Sequence, residues 1–202
     1  MALVVVEGIS DQIALEAGAA ARGRDLEAER VAVVPIGGAH AVGRFLARTA
    51  PPGPGLRVAV LCDRREEAVV RRGLDRRPAG VEILGVYVCV DDLEDELIRA
   101  VGTTAIEALF DAQGDLASFR SFRNQPAWRG RELDAQMRRF LGSGARRKLR
   151  YAQLLARAAA ERDALPPPLD ALLTAVRPFP VGQEAPVERC TDRASHPGSP
   201  QT

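Results

Sequence analysis

Apolar residues in this chain follow two rhythms. Uninterrupted runs at residues 3–6, 31–36, 58–62 and 83–90 alternate with stretches at 10–22, 40–49, 66–77 and 93–101, where apolar positions recur at helical spacing. A short apolar run bounded by turn residues reads as a strand buried on both faces, and the longer spacing as an amphipathic helix. Strands and helices in alternation predict βαβ units, hence a mostly parallel sheet with right-handed crossovers. PPGPG at 51–55 predicts a loop.

After Gly102 the strand rhythm stops. Helical spacing continues at 103–113, 132–141 and 146–162, and at 169–176 behind the three prolines of 166–168. From Phe179 onward the chain is rich in Pro, Gly and Ser with few large apolar residues, which predicts a disordered tail. The expected division is a sheet-bearing core at 1–102, a basic helical extension at 103–177 and a tail at 178–202.

Composition narrows the classes. The 202 residues, 46% of them apolar, carry a net charge of +1, as expected of one soluble domain with an extension. No apolar stretch has membrane-spanning length and the start lacks the pattern of a signal peptide, so the expected compartment is the cytoplasm. Cys62, Cys89 and Cys190 form no CxxC pair, and two of them lie inside strand-like runs, which suits small buried hydrophobes better than a redox site. His40 and His196 are too few for a histidine metal site, so any metal here needs oxygen ligands and would be magnesium, manganese or calcium.

Charge is unevenly spread. Residues 1–102 carry 13 basic and 16 acidic side chains, whereas 117–157 carry 11 basic and 2 acidic. An arginine-rich segment of this kind suits phosphate binding, or equally a solvated helix face.

Acidic residues recur where the strands stop. Glu7 follows the first run in LVVVEGISD, Asp63 ends the third in VAVLCD, and Asp91, Asp92 and Glu94 follow the fourth in VYVCVDDLEDE. Ser10 reads as the N-cap of the next helix, with Asp11 in its first turn. Each acid also has a plain structural reading: Asp92 as an N-cap, Asp11 and Asp95 as partners of a helix dipole, the rest as solvated faces. Their coincidence at one sheet edge favours a cation site, because crowded carboxylates repel unless something neutralises them.

VVVEGISD, a strand ending LCD and a DLED helix start resemble the Toprim fold of topoisomerases, primases and related nucleases. More narrowly, EGISD, the PIGG turn, DLEDEL and a downstream basic helix resemble the Toprim region of OLD-family (overcoming lysogenization defect) endonucleases, over roughly residues 1–160. The resemblance implies an α/β fold of Toprim (Rossmann-like) type: a mostly parallel four-stranded sheet flanked by helices, with a C-terminal helical extension. It also implies a site. Glu7 corresponds to the family's first Glu, Asp11 to the second acid of EGxxE shortened to Asp, and Asp63 to the first Asp of DxD. Asp92 and Glu94 correspond to the acidic pair used for a second metal, and Lys148 to a lysine near the scissile phosphate.

The mechanism so implied is phosphodiester hydrolysis with two Mg2+ or Mn2+ ions about 3.5 to 4 Å apart. Glu7 and Asp63 would hold one ion, Asp11, Asp92 and Glu94 the other. Two departures stand out. Arg65 occupies the second Asp position of DxD, weakening one metal position unless Glu66 or Glu67 replaces it. OLD-family proteins also place an ATPase domain before the Toprim region, whereas this chain begins at its first strand and has no GxxxxGK[ST] loop. An ATPase partner in another chain, or none, is therefore expected.

Lys148 is the only lysine among 28 basic residues, and a compact ammonium acts on a transferring phosphate differently from a planar guanidinium. Gly37 and Gly38 lack GxGxxG spacing and read as a tight turn outside the site. In FRSFRNQPAWRGR, Phe119, Phe122 and Trp128 interleave with Arg120, Arg123, Arg129 and Arg131; with Arg146 and Arg147 these arginines are the candidate nucleic-acid contacts. The same aromatics also suit a loop pinned to the core. Three functions follow: a metal-dependent nuclease acting on DNA or RNA, a non-catalytic Toprim module binding nucleic acid or an ATPase, and a doubly wound enzyme for a phosphorylated small molecule. The basic segment argues against the third.

Overall fold

The computed structural model describes residues 1–49 and 55–178, so the tail and most of PPGPG lie outside the described residues. Four strands, β1 (Ala2–Val6), β2 (Val31–Pro35), β3 (Leu56–Asp63) and β4 (Val81–Cys89), form one parallel sheet in the order β2-β1-β3-β4. The helices are α1 (Ile9–Ala21), α2 (Val42–Thr49), α3 (Glu67–Leu74), α4 (Leu93–Val101), α5 (Thr103–Ala112), α6 (Leu116–Arg123), α7 (Leu133–Leu141), α8 (Ala145–Glu161) and α9 (Pro167–Ala175). The protein is an α/β fold with a four-stranded parallel sheet flanked by helices.

β1 is central and buried throughout because successive side chains point to opposite faces and both faces are covered. Leu3 and Val5 pack with Val42, Leu46, Val70 and Leu74 of α2 and α3. Val4 and Val6 pack on the other face, in a core that runs on through α1, α4, α5, α7, α8 and α9. The helices after Gly102 thus share the sheet's own core, with α8 lying along α1.

β4 carries an irregularity that its apolar run conceals. Val58 pairs with Ile83 and Ala59 with Gly85, leaving Leu84 as an extra residue. A bulge of one residue switches every later side chain to the other face. Val81 and Ile83 therefore share a face with Val86 and Val88, and Cys89 turns into the larger core.

Two local readings change. α1 begins at Ile9, capped by Gly8 in an extended conformation, whose N–H donates to Asp11 Oδ2 at 2.8 Å; Ser10 is buried inside the first turn and does not cap it. That local bond sets the boundary two residues earlier than hydroxyl capping suggested. α6 was not expected. It has only eight residues and is held by fully buried Phe119, which packs against Phe110 and Phe140 at 4.8 and 5.1 Å between ring centroids. Cys62 and Cys89 are buried free thiols.

Candidate metal centre

In a parallel sheet the carboxyl ends of all strands point to one edge, and the order β2-β1-β3-β4 makes the ends of β1, β3 and β4 successive neighbours. Glu7 lies just past β1, Asp63 ends β3, and β4 leads through Asp91 to Asp92, the N-cap of α4. Asp11 sits in the first turn of α1, and Lys148 in the first turn of α8, which reaches the same edge by lying on α1. Glu7, Asp11, Asp63, Asp92, Glu94 and Lys148 line one cavity of about 300 Å3.

Each carboxylate has different company. Glu7 Oε1 is buried with no hydrogen-bond partner among the described residues. The Asp63 carboxylate makes no hydrogen bond or ion pair among the described residues. Burial, then the nearby Asp92, Asp11 and Glu94 carboxylates, push the Asp63 carboxyl up to about 6. Burial likewise pushes Asp11 up to about 6, against the Gly8 N–H and with repulsion from Glu94 and Asp92. These are the marks of like charges held together out of water.

Asp92 and Glu94 are more fully engaged. Asp92 Oδ1 accepts the Asp95 N–H at 2.9 Å, and Oδ2 accepts both Nε and Nη2 of Arg138 at 2.8 and 2.5 Å. The cap reading of Asp92 is therefore realised, and Arg138 is a partner the sequence did not disclose, 46 residues away. Glu94 Oε1 lies 3.1 Å from Lys148 Nζ. Burial works against the Lys148 ammonium, but Glu94, Asp11 and Asp92 outweigh it and hold its pKa above the ordinary lysine value. No three acidic, cysteine or histidine side chains form a ready-made metal cage among the described residues.

The donor set nonetheless fits a hard divalent cation. It is all carboxylate, it includes a buried oxygen without a donor, and two of its members are disfavoured as anions until a cation joins them. Neither Glu66 nor Glu67 lines the cavity in place of the Asp that Arg65 replaces, and Glu67 is bound to Arg71 at 2.7 and 2.9 Å. Ser10 and Gly38 line it too, although sequence reasoning left both out. The second glycine of PIGG was the available signal: its φ of 113 favours glycine, which puts no side chain into the wall.

The proposed nucleic-acid arginines divide. Arg120, Arg129, Arg131 and Arg146 are exposed. Arg123 pairs with Glu107 at 3.2 Å, and Arg147 lies over Phe140 at 4.0 Å while donating to Ser143 Oγ at 2.6 Å. Phe119 is core, and Phe122 and Trp128 stack on each other at 5.3 Å. No described helix is long and apolar enough to cross a membrane.

Residues 1–64 match the family model of the overcoming lysogenization defect protein-like TOPRIM domain, a stretch that ends one residue past Asp63. No curated protein matches the sequence. Among solved structures, the C-terminal region of the Burkholderia pseudomallei OLD protein superposes with a TM-score of 0.60 at 18% identity, covering 87% of this chain and 96% of that one. The C-terminal region of the Xanthomonas campestris pv. campestris OLD protein gives 0.59 at 22% identity, covering 87% and 93%. At such identities the likeness is one of fold. Residues 1–64 thus carry an OLD-protein-like TOPRIM domain, within a fold that the C-terminal regions of OLD proteins share over most of this chain.

Proposed function

We propose that the carboxylate cavity hydrolyses phosphodiester bonds of DNA or RNA with Mg2+ or Mn2+, as a Toprim nuclease. The observation that carries the reading is five carboxylates and one lysine lining a single cavity at the carboxyl edge of the sheet. Glu7 and Asp63 would hold one cation and Asp11, Asp92 and Glu94 the other, Asp92 and Glu94 in exchange for their pairs with Arg138 and Lys148. Such cations polarise the phosphate and stabilise the charge that builds on it. Glu7 and Asp63 supply fixed oxygens on adjacent strand ends, so little reorganisation is needed. Lys148, kept protonated by its acidic surroundings, brings a positive charge to the same cavity and is suited to the developing negative charge on a non-bridging oxygen. An ATPase partner in another chain belongs to the same proposal.

A non-catalytic Toprim module is the second reading, favoured by Arg138 holding Asp92 and by Arg65 in the DxD position. Incubation with supercoiled plasmid in Mn2+, Mg2+ or EDTA, beside Glu7→Ala, separates the two. Nicked or linear product that requires metal and vanishes in Glu7→Ala is expected. Retarded but intact plasmid under every metal would replace the nuclease with the module.

A further inference from the structure

Two further cavities flank the connection between α6 and α7. The first, about 790 Å3, shares Asp92, Glu94 and Lys148 with the carboxylate cavity and runs outward past Arg138, Arg131 and Trp128. The second, about 300 Å3, lies against the same connection and is lined by Arg120, Arg123, Arg129, Asn124, Gly130 and Gln136. Trp128 and Arg131 belong to one cavity and the intervening Arg129 and Gly130 to the other, so a single stretch of backbone forms the divide between them.

That stretch is held in place from below. Gln136, 4% exposed, donates from Nε2 to the Trp128 carbonyl at 2.8 Å, and Trp128 stacks on Phe122. Gly130 takes a φ of 78, which lets the chain turn between Arg129 and Arg131. Arg129 donates to the Asn124 carbonyl at 3.0 Å, and Arg123 is oriented by Glu107 and the Phe119 ring. The Arg120 guanidinium makes no hydrogen bond or ion pair among the described residues. Among the described residues no carboxylate lines this cavity. Of the three guanidinium groups around this small cavity, Arg123 has its acidic partner, Glu107, outside the wall, while Arg120 and Arg129 face no acid among the described residues. Their planar forks suit phosphate oxygens better than a single point charge would.

We infer that this arginine-walled cavity anchors a backbone phosphate of the nucleic-acid strand that enters the carboxylate cavity, with the groove along Trp128 and Arg131 joining the two. The inference rests on the nuclease reading for its direction and is separable from it by experiment. A contact of this kind positions the strand and reads no sequence.

The test uses the full chain in EDTA, where no cutting occurs, and follows a short labelled oligonucleotide by fluorescence anisotropy over a salt series. Arg120→Ala with Arg129→Ala is expected to weaken binding to every sequence alike and to lower the slope of log affinity against log salt by about 1 to 2. Arg120→Lys with Arg129→Lys, which keeps the charge, retains most of the slope. Arg72→Ala, an exposed arginine on α3 across the sheet, leaves it unchanged. An unchanged slope in the double alanine variant, or an equal fall in Arg72→Ala, overturns the anchor. Saturable binding of inorganic phosphate at these arginines with no oligonucleotide binding overturns the nucleic-acid assignment. Metal-dependent cutting with an untouched slope removes the anchor alone; a lowered slope without cutting removes the nuclease alone.

Discussion

Lys148 Nζ stands 3.1 Å from Glu94 Oε1, joining the first turns of α8 and α4 across the mouth of the carboxylate cavity. The two residues lie 54 positions apart in sequence, and the pair sets a lone ammonium among five acids. The lysine side chain is 42% exposed, so the pair itself adds little to stability. Its value lies in where it holds the charge.

Lys148→Met should therefore lower metal-dependent cleavage by about 100- to 1,000-fold, the usual cost of one stabilising group at a developing oxyanion. Thermal stability should scarcely move. Lys148→Arg should not restore the rate, because a planar guanidinium cannot reproduce the placement of a compact ammonium. Single-turnover cleavage and melting curves on the same preparations check all three statements.

Asp11 and Asp63 have carboxyl groups raised to about 6 in the folded protein, against an ordinary 3.8. An acid raised on folding binds protons more tightly in the native state, so its contribution to stability falls as pH rises between those values. Metal-free protein should lose melting temperature from pH 4 to pH 6 and level off above. Asp11→Asn with Asp63→Asn should flatten that profile, and added Mn2+ should raise melting temperature more at pH 7 than at pH 5. Calorimetry in EDTA and in Mn2+ reads the difference.

Asp92 serves as a helix cap and as the partner of Arg138. Asp92→Asn keeps an N-cap acceptor and loses the charge; Asp92→Ala loses both. The alanine variant should be less stable than the asparagine variant by about 1 kcal/mol, the ordinary worth of a cap. Arg138→Ala should free the Asp92 carboxylate and tighten Mn2+ binding, measured by titration calorimetry. Weaker or unchanged binding would mean that Asp92 serves the helix only.

Gly43 on α2 and Gly73 on α3 pack backbone to backbone on the sheet face away from the extension. A Cβ at position 43 would stand 3.0 Å from the Gly73 carbonyl oxygen. In an open helix Gly→Ala stabilises by about 1 kcal/mol. Here the crowding should reverse the sign, so Gly43→Ala should destabilise by about 1 to 3 kcal/mol in urea unfolding. Cleavage per folded molecule should be unaffected.

The four strands, the helices between them and the acids at the strand ends were all legible in the sequence, because hydrophobic period and turn chemistry are local properties. Lys148 also stood out locally, as the one lysine in an arginine-rich chain. Tertiary structure decided what no local pattern carries. Strand order made β1 and β3 neighbours, so that Glu7 and Asp63 line one cavity. Packing of α8 on α1 brought Lys148 to Glu94, and α7 brought Arg138 to Asp92. The bulge at Leu84 was hidden because a continuous apolar run looks the same in either register. Partners far apart in the chain are chosen by which faces bury together, and only the assembled core makes that choice.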